Sequence, residues 1–228
     1  MEQTKVKSIL RIMSIILIGY SIANCKTLTV KPGVHERVKK IAVVSVYSPR
    51  MIDTRATGFD YLAGFNNSWG KEALDLATAP MIEKIKKGAK LEIIPLEQVR
   101  ENENYKKLPI LETNMVATVS SIGLLPLAAN PENDAQFGKL AQELNVDGVM
   151  IIGVEQYPRL VRSWQIFKSC VVPMRFIIIE KDGSRGYYQD ETFESESSII
   201  YKPIDKMVEG MMVGADEFVN NWITKKIE

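Results

Sequence analysis

The alternation of apolar and polar positions divides the chain into distinct elements. Ile41-Ala42-Val43-Val44-Ser45-Val46-Tyr47 is an almost unbroken β-branched run, the pattern of a strand covered on both faces. Trp69, Ala73, Leu76, Ala77 and Ile85 recur near helical spacing and predict a helix from Trp69 to about Lys87. Pro80 is expected to kink or split that helix, because it lacks an N–H and crowds the preceding turn. Gly88 is expected to end it, with Lys84, Lys86 and Lys87 favouring the helix dipole in the last turn. Leu91 to Pro95 reads as a second strand, and Glu97 to Leu108 as a charged stretch with a short helix. After Pro131 a helix carries Phe137, Leu140, Ala141 and Leu144 on one face, and Val146 to Val154 is another buried-strand run.

Strand, helix, strand, helix, strand predicts a parallel sheet with crossover helices. The style then changes. Ser169 to Glu180 reads as a long strand, Lys181-Asp182-Gly183-Ser184 as a turn, and Arg185 to Phe193 as the antiparallel mate. Ser197 to Tyr201 is expected to add a third strand. From Asp205 to Lys226, Met207, Met211, Ala215, Phe218 and Trp222 repeat at helical spacing, a stripe read as core packing. The expected fold class is α/β: a three-layer mixed sheet, βαβαβ followed by an antiparallel β-hairpin and a C-terminal helix, in one domain over residues 41–228.

The N-terminus has a different character. Lys5, Lys7 and Arg11 precede an uncharged run from Ile12 to Ile22, about half the length a membrane-spanning helix needs. A basic leader and a short apolar run are the signature of an export signal. Ile22-Ala23-Asn24-Cys25 resembles the lipobox of bacterial lipoproteins, where cleavage precedes a cysteine that then carries lipid. The resemblance implies a signal peptide over residues 1–24 and an acyl anchor on Cys25, and so a membrane partner held without a spanning helix. Lys26 stands where an aspartate retains some lipoproteins at the inner membrane, which points to the outer membrane. Residues 25–40 read as a polar tether turning at Pro32-Gly33, with His35 solvated among charges.

Composition narrows the chemistry. The 228 residues hold 29 basic and 28 acidic side chains, a formal charge of +1. Removing residues 1–24 takes away Lys5, Lys7, Arg11 and Glu2 and leaves −1. That balance excludes a broadly basic nucleic-acid binder. A single His excludes any site needing two. With Cys25 acylated, Cys170 has no thiol partner for an internal disulfide and reads as a small buried hydrophobe. As a nucleophile it would need His35, the one imidazole in the chain.

Two segments stand out as candidate sites. Residues 113–131 carry no charged side chain, yet Asn114, Ser120, Ser121, Gly123 and Pro126 make them a poor membrane span. They read as a buried segment or as an exposed contact surface, for which Met115, Val116, Ile122, Leu124, Leu125 and Leu127 are the candidates. The loop Ser48 to Asn67 follows the first strand, at the edge where open α/β sheets bind ligands. It holds Arg50, Asp53, Arg55 and Asp60 but no glycine-rich phosphate pattern. An alternative function therefore places a small ligand or a hydrolytic carboxylate pair there.

The order of elements, with KKIAVVSVY, LEIIP and KLAQELNVDGVMIIGV, resembles the curli-secretion CsgG-like lipoproteins and related small envelope lipoproteins, whose domains share a fold like the N-terminal domain of TolB. Leu140-Ala141-Gln142-Glu143-Leu144-Asn145-Val146-Asp147 is the most specific piece. The resemblance implies a fold and an envelope location, and no activity. The expectation is a membrane-anchored lipoprotein that works through contact with other envelope proteins or its own copies. No catalytic residue, metal or cofactor is expected, and no nucleic acid.

Overall fold

The structure is a computed structural model that describes residues 27–47, 68–94, 98–99, 101–106, 134–154, 159–163, 167–199 and 202–224. Its centre is a seven-stranded mixed sheet. The strands are β1 (Thr27–Val30), β2 (Lys40–Tyr47), β3 (Glu92–Ile94), β4 (Gly148–Val154), β5 (Arg159–Ser163), β6 (Phe167–Glu180) and β7 (Arg185–Glu194). The spatial order is β1-β7-β6-β4-β2-β3, and β5 pairs with the start of β6. The β-branched runs form the parallel part, β3-β2-β4. β6, β7 and β1 follow as antiparallel neighbours. Val171 bonds β5 on one edge and β7 on the other, so β5 lies on the β4 side of β6.

The helices are α1 (Val34–Arg37), α2 (Ser68–Ala89), α3 (Glu103–Lys106), α4 (Asp134–Glu143) and α5 (Pro203–Thr224). The two faces of the sheet bury separate cores, because successive residues on a strand point to opposite sides. On one face Ile41, Val43, Met150, Ile152, Met174, Phe176 and Ile178 meet α2 and α5. On the other, Ala42, Val44, Val149, Ile151, Ile177 and Ile179 meet Phe137, Leu140 and Ala141 of α4. Three layers and the closing helix agree with the fold class read from sequence. On α5, Met207, Met211, Ala215, Phe218 and Trp222 are all buried, as their spacing predicts.

Several local expectations need correction. Residues 27–38 are part of the domain rather than a tether. β1 adds to the free edge of β7, and Val34, His35 and Val38 are buried. His35 is 4% exposed and packs edge-on against Trp222, ring centroids 4.3 Å apart. Its charged sequence neighbours hid a position that tertiary packing covers. Pro80 lies inside α2 without splitting it, and it sits on the exposed side, where water can solvate the carbonyl that loses a partner. Leu76 is 56% exposed, while Leu74 and Met81 take the core positions. Gly88 does not end the helix. A Cβ there would lie 2.5 Å from Val219 Cγ1, so Gly88 lets α5 approach, and Lys90 takes the left-handed conformation past the helix end, φ 55°. Of the third strand expected over Ser197 to Tyr201, the described residues show a bridge at Ser198, and Ile200 and Tyr201 lie outside them.

The β6–β7 turn is locked from two sides. Gly183 has φ 81°, and Ser184 donates its N–H to Asp182 Oδ1 at 2.8 Å. α4 rests on this turn through Gly138, where a Cβ would meet Gly183 N at 2.6 Å and Cα at 2.7 Å. Both obstacles are backbone, so the turn or the helix must shift. Gly138→Ala is therefore expected to destabilise the fold by about 1–3 kcal/mol, despite alanine's better helix propensity. Urea denaturation checks this, and an unchanged midpoint would refute the contact.

Candidate functional site

Cys25, the loop residues Arg50, Asp53, Arg55 and Asp60, and the contact residues Met115, Val116, Ile122, Leu124, Leu125 and Leu127 lie outside the described residues. The structure does place the points where the chain enters and leaves these segments. Tyr47 pairs with Gly153, Gly153 with Arg175, Arg175 with Asp190, and Asp190 with Thr27. One row across the sheet thus joins the last residue of β2, which leads into the Arg50–Asp60 loop, to the first residue of β1, which follows Cys25 by two positions.

At the opposite end of the strands a charge cluster ties the N-terminal segment down. Glu180, 5% exposed at the end of β6, accepts two bonds from Arg37, Nε at 2.7 Å and Nη2 at 2.9 Å. This fork-to-carboxylate geometry is the strongest form of the pair. Lys31 Nζ stands 3.8 Å from the same carboxylate and donates to Ser184 Oγ at 2.7 Å. Lys31 N–H donates to Gly186 O at 2.8 Å, continuing the β1–β7 ladder. Asp147, the acidic residue of the helix-into-strand junction, accepts from the backbone N–H groups of Lys39 and Lys40, each at 2.9 Å to Oδ2. The junction was legible in sequence. This capping role was not, since its donors lie 107 and 108 residues away.

On the α4 face, Arg175 is buried and binds Asp190 through Nη2 at 2.6 Å. Arg185 binds Asp134 at 2.6 and 3.1 Å, fixing β7 to the first residue of α4. Both guanidinium carbons face the Tyr188 ring, at 5.5 and 5.8 Å from its centroid. Each cation thus has a carboxylate and shares an aromatic ring. On the α5 face, Tyr187 donates to Gln189 Oε1 at 2.6 Å, and burial pushes its hydroxyl well above the ordinary phenol range. Cys170 is buried, and burial with the nearby Glu194 pushes its thiol up to about 12. Among the described residues no three His, Cys, Asp or Glu side chains converge as a metal site, and no helix is long and apolar enough to cross a membrane.

No protein-family model and no curated protein matches the chain. Among solved structures it is similar to the lipoprotein GNA1162 from Neisseria meningitidis, at 17% identity and a TM-score of 0.39, over 81% of this chain and 97% of that one. It is also similar to the hypothetical protein CT253 from Chlamydia trachomatis, at 10% identity and a TM-score of 0.35, over 82% and 95%. Likenesses this distant carry no argument about what this chain does.

Two outcomes follow from the geometry. Glu180→Gln removes the charge that holds Arg37, so trypsin should cut after Arg37 at least about tenfold faster while cleavage after Lys139 in α4 keeps its rate. Equal rates at Arg37 would show that the ion pair does not hold the segment. At pH 8 an ordinary thiol is roughly a quarter thiolate, whereas one titrating near 12 is about one part in ten thousand. Iodoacetamide should therefore modify the Cys170 peptide at least a hundredfold more slowly in the native protein than in urea, to order of magnitude. Comparable rates would contradict a buried Cys170.

Proposed function

We propose that this chain is a bacterial envelope lipoprotein, anchored through acylated Cys25 and working by protein contact rather than by catalysis. What carries the reading is a coincidence of boundaries. The apolar run from Ile12 to Ile22 ends three residues before Cys25, and the first strand of the sheet begins at Thr27. The carboxylates tied into the fold support the second half. Glu180, Asp134, Asp190 and Asp147 are each engaged in joining one segment of the fold to another. Cys170 is buried, and burial pushes its thiol up to about 12. Under the CsgG-like and TolB-like resemblance, the role is an accessory to envelope assembly or secretion. Met115, Val116, Ile122, Leu124, Leu125 and Leu127 form its contact surface, toward other envelope proteins or a second copy. Lys26 favours the outer membrane.

Mass spectrometry of the N-terminal peptide from bacterial membranes tests the anchor. A peptide beginning at acylated Cys25 is expected, and an unmodified Met1 or an acyl-free Cys25 would contradict it. Deleting residues 114–128 is expected to reduce particle size and partner recovery, and unchanged association would remove the contact surface.

A further inference from the structure

We propose that residues 27–38 are a releasable strap latched by Glu180, whose opening moves the domain's attachment from Thr27 to Lys40. The change of attachment rests on the acylation of Cys25 put forward above, whereas the release itself does not. β7 pairs with β6 from Arg185 to Glu194 whether or not β1 covers its other edge. To the core under α5 the strap adds Val34 and Val38, with His35 set against Trp222. Its ion-paired cations meet at one carboxylate. Arg37 binds Glu180 through Nε and Nη2, and Lys31 Nζ stands 3.8 Å from Glu180 Oε1. Lys31 also reaches Asp182 and Ser184 in the turn that follows. The side chains of Arg37 and Lys31 are 45% and 41% exposed, so water reaches the outer half of the latch. Gly186 lets strap and latch close on each other, because a Cβ there would lie 2.7 Å from Val34 Cγ2 and 2.8 Å from Glu180 Oε1. Asp147 sets where opening stops. It holds the N–H groups of Lys39 and Lys40, and Lys40 already pairs with Glu92 of β3. A four-residue edge strand and three buried side chains open at a lower free energy than a two-cored sheet.

The two attachment points lie far apart. Thr27 shares a row with Asp190, Arg175, Gly153 and Tyr47, four ladders away from β2. Four ladders span about 19 Å, and the strand from Tyr47 back to Lys40 runs about 23 Å. Lys40 is therefore about 30 Å from Thr27 across the sheet. With the strap closed, Cys25 is two residues from a fixed corner of the domain. With the strap open, residues 25–40 form a chain of about 50 Å at full extension, attached to a different corner. Load on the anchor, applied when a partner holds the domain, acts first on β1, since Thr27 is the strap's first residue. A lipoprotein that works by contact gains reach and a new orientation by this opening.

The test uses the mature protein purified from membranes in detergent, with the acylation of Cys25 read by mass. Spin labels are placed at Thr29→Cys in the strap and at Lys139→Cys in α4, both exposed positions. Pulsed dipolar distance measurement should give one narrow distribution when no other residue is changed. Arg37→Gln and Gly186→Ala should each raise a longer, broad component at least about fivefold. In the same variants without labels, the amides of residues 28–38 should exchange at least about tenfold faster, with those of β4 and of Lys39 and Lys40 unchanged. Arg37 is half-exposed, so its substitution opens the latch even where Gly186→Ala fails to fold. Unchanged distances and exchange in Arg37→Gln would overturn the latch. Acceleration of β4 together with the strap would show that strap and sheet open as one, and would overturn the release. Exchange of Lys39 and Lys40 with the strap would overturn the stop at Asp147. An acyl-free Cys25 beside a strap that opens in the variants would uphold the release and overturn the change of attachment.

Discussion

The pairing of β6 is the constraint on which the rest of the molecule depends. This 14-residue strand bonds β4 and β5 along one edge and β7 along the other. It also supplies both cores, sending Val172, Met174, Phe176 and Ile178 toward α5 and Ile177 and Ile179 toward α4. Fully burying such a side chain contributes about 1.5–3 kcal/mol, so among the described residues β6 outweighs the other strands of the sheet. It also fixes register. A slip by one residue would carry Arg175 from its place beside Asp190 into the apolar layer under α5, leaving a guanidinium without its carboxylate.

The ends of β6 then organise two different regions. At its C-terminal end Glu180 collects Arg37 and Lys31, and the following turn seats α4 through Gly138. The N-terminal segment is thereby held at both ends of its path, by β1 on the edge of β7 and by Asp147 at the backbone of Lys39 and Lys40. At its N-terminal end β6 pairs with β5.

The parts of the fold that were legible in sequence are those whose local pattern and tertiary environment agree. β2 and β4 are covered on both faces and read as continuous apolar runs. α5 has one buried stripe and reads as a 3.6-residue period. β1 is a four-residue edge strand, Thr27-Leu28-Thr29-Val30, with exposed threonines alternating with half-buried apolar residues, and flanking charges make so short a run look like linker. β5 was missed for the same reason, since Arg159 and Arg162 interrupt Leu160-Val161. The burial of His35 depends on Trp222, 187 positions away, and no local signal carries that. The Arg–carboxylate ties are equally long-range, whereas the seclusion of Cys170 follows from its apolar strand context. The candidate site residues lie outside the described residues, so the row from Tyr47 to Thr27 constrains where their segments attach and nothing more.

The account turns on residues 27–38 being structural rather than a flexible leash, because only then does a lipid on Cys25 set the position of the whole domain. Amide hydrogen exchange on the mature protein tests this directly. Leu28, Thr29 and Val30 face Gln189, Tyr188 and Tyr187 across the β1–β7 ladder. The account predicts that the amides of residues 28–31 engaged in this ladder exchange at least about a hundredfold more slowly than free peptide, along with those of β7. Exchange of residues 28–31 at the rate of free peptide, with β7 still protected, would contradict it.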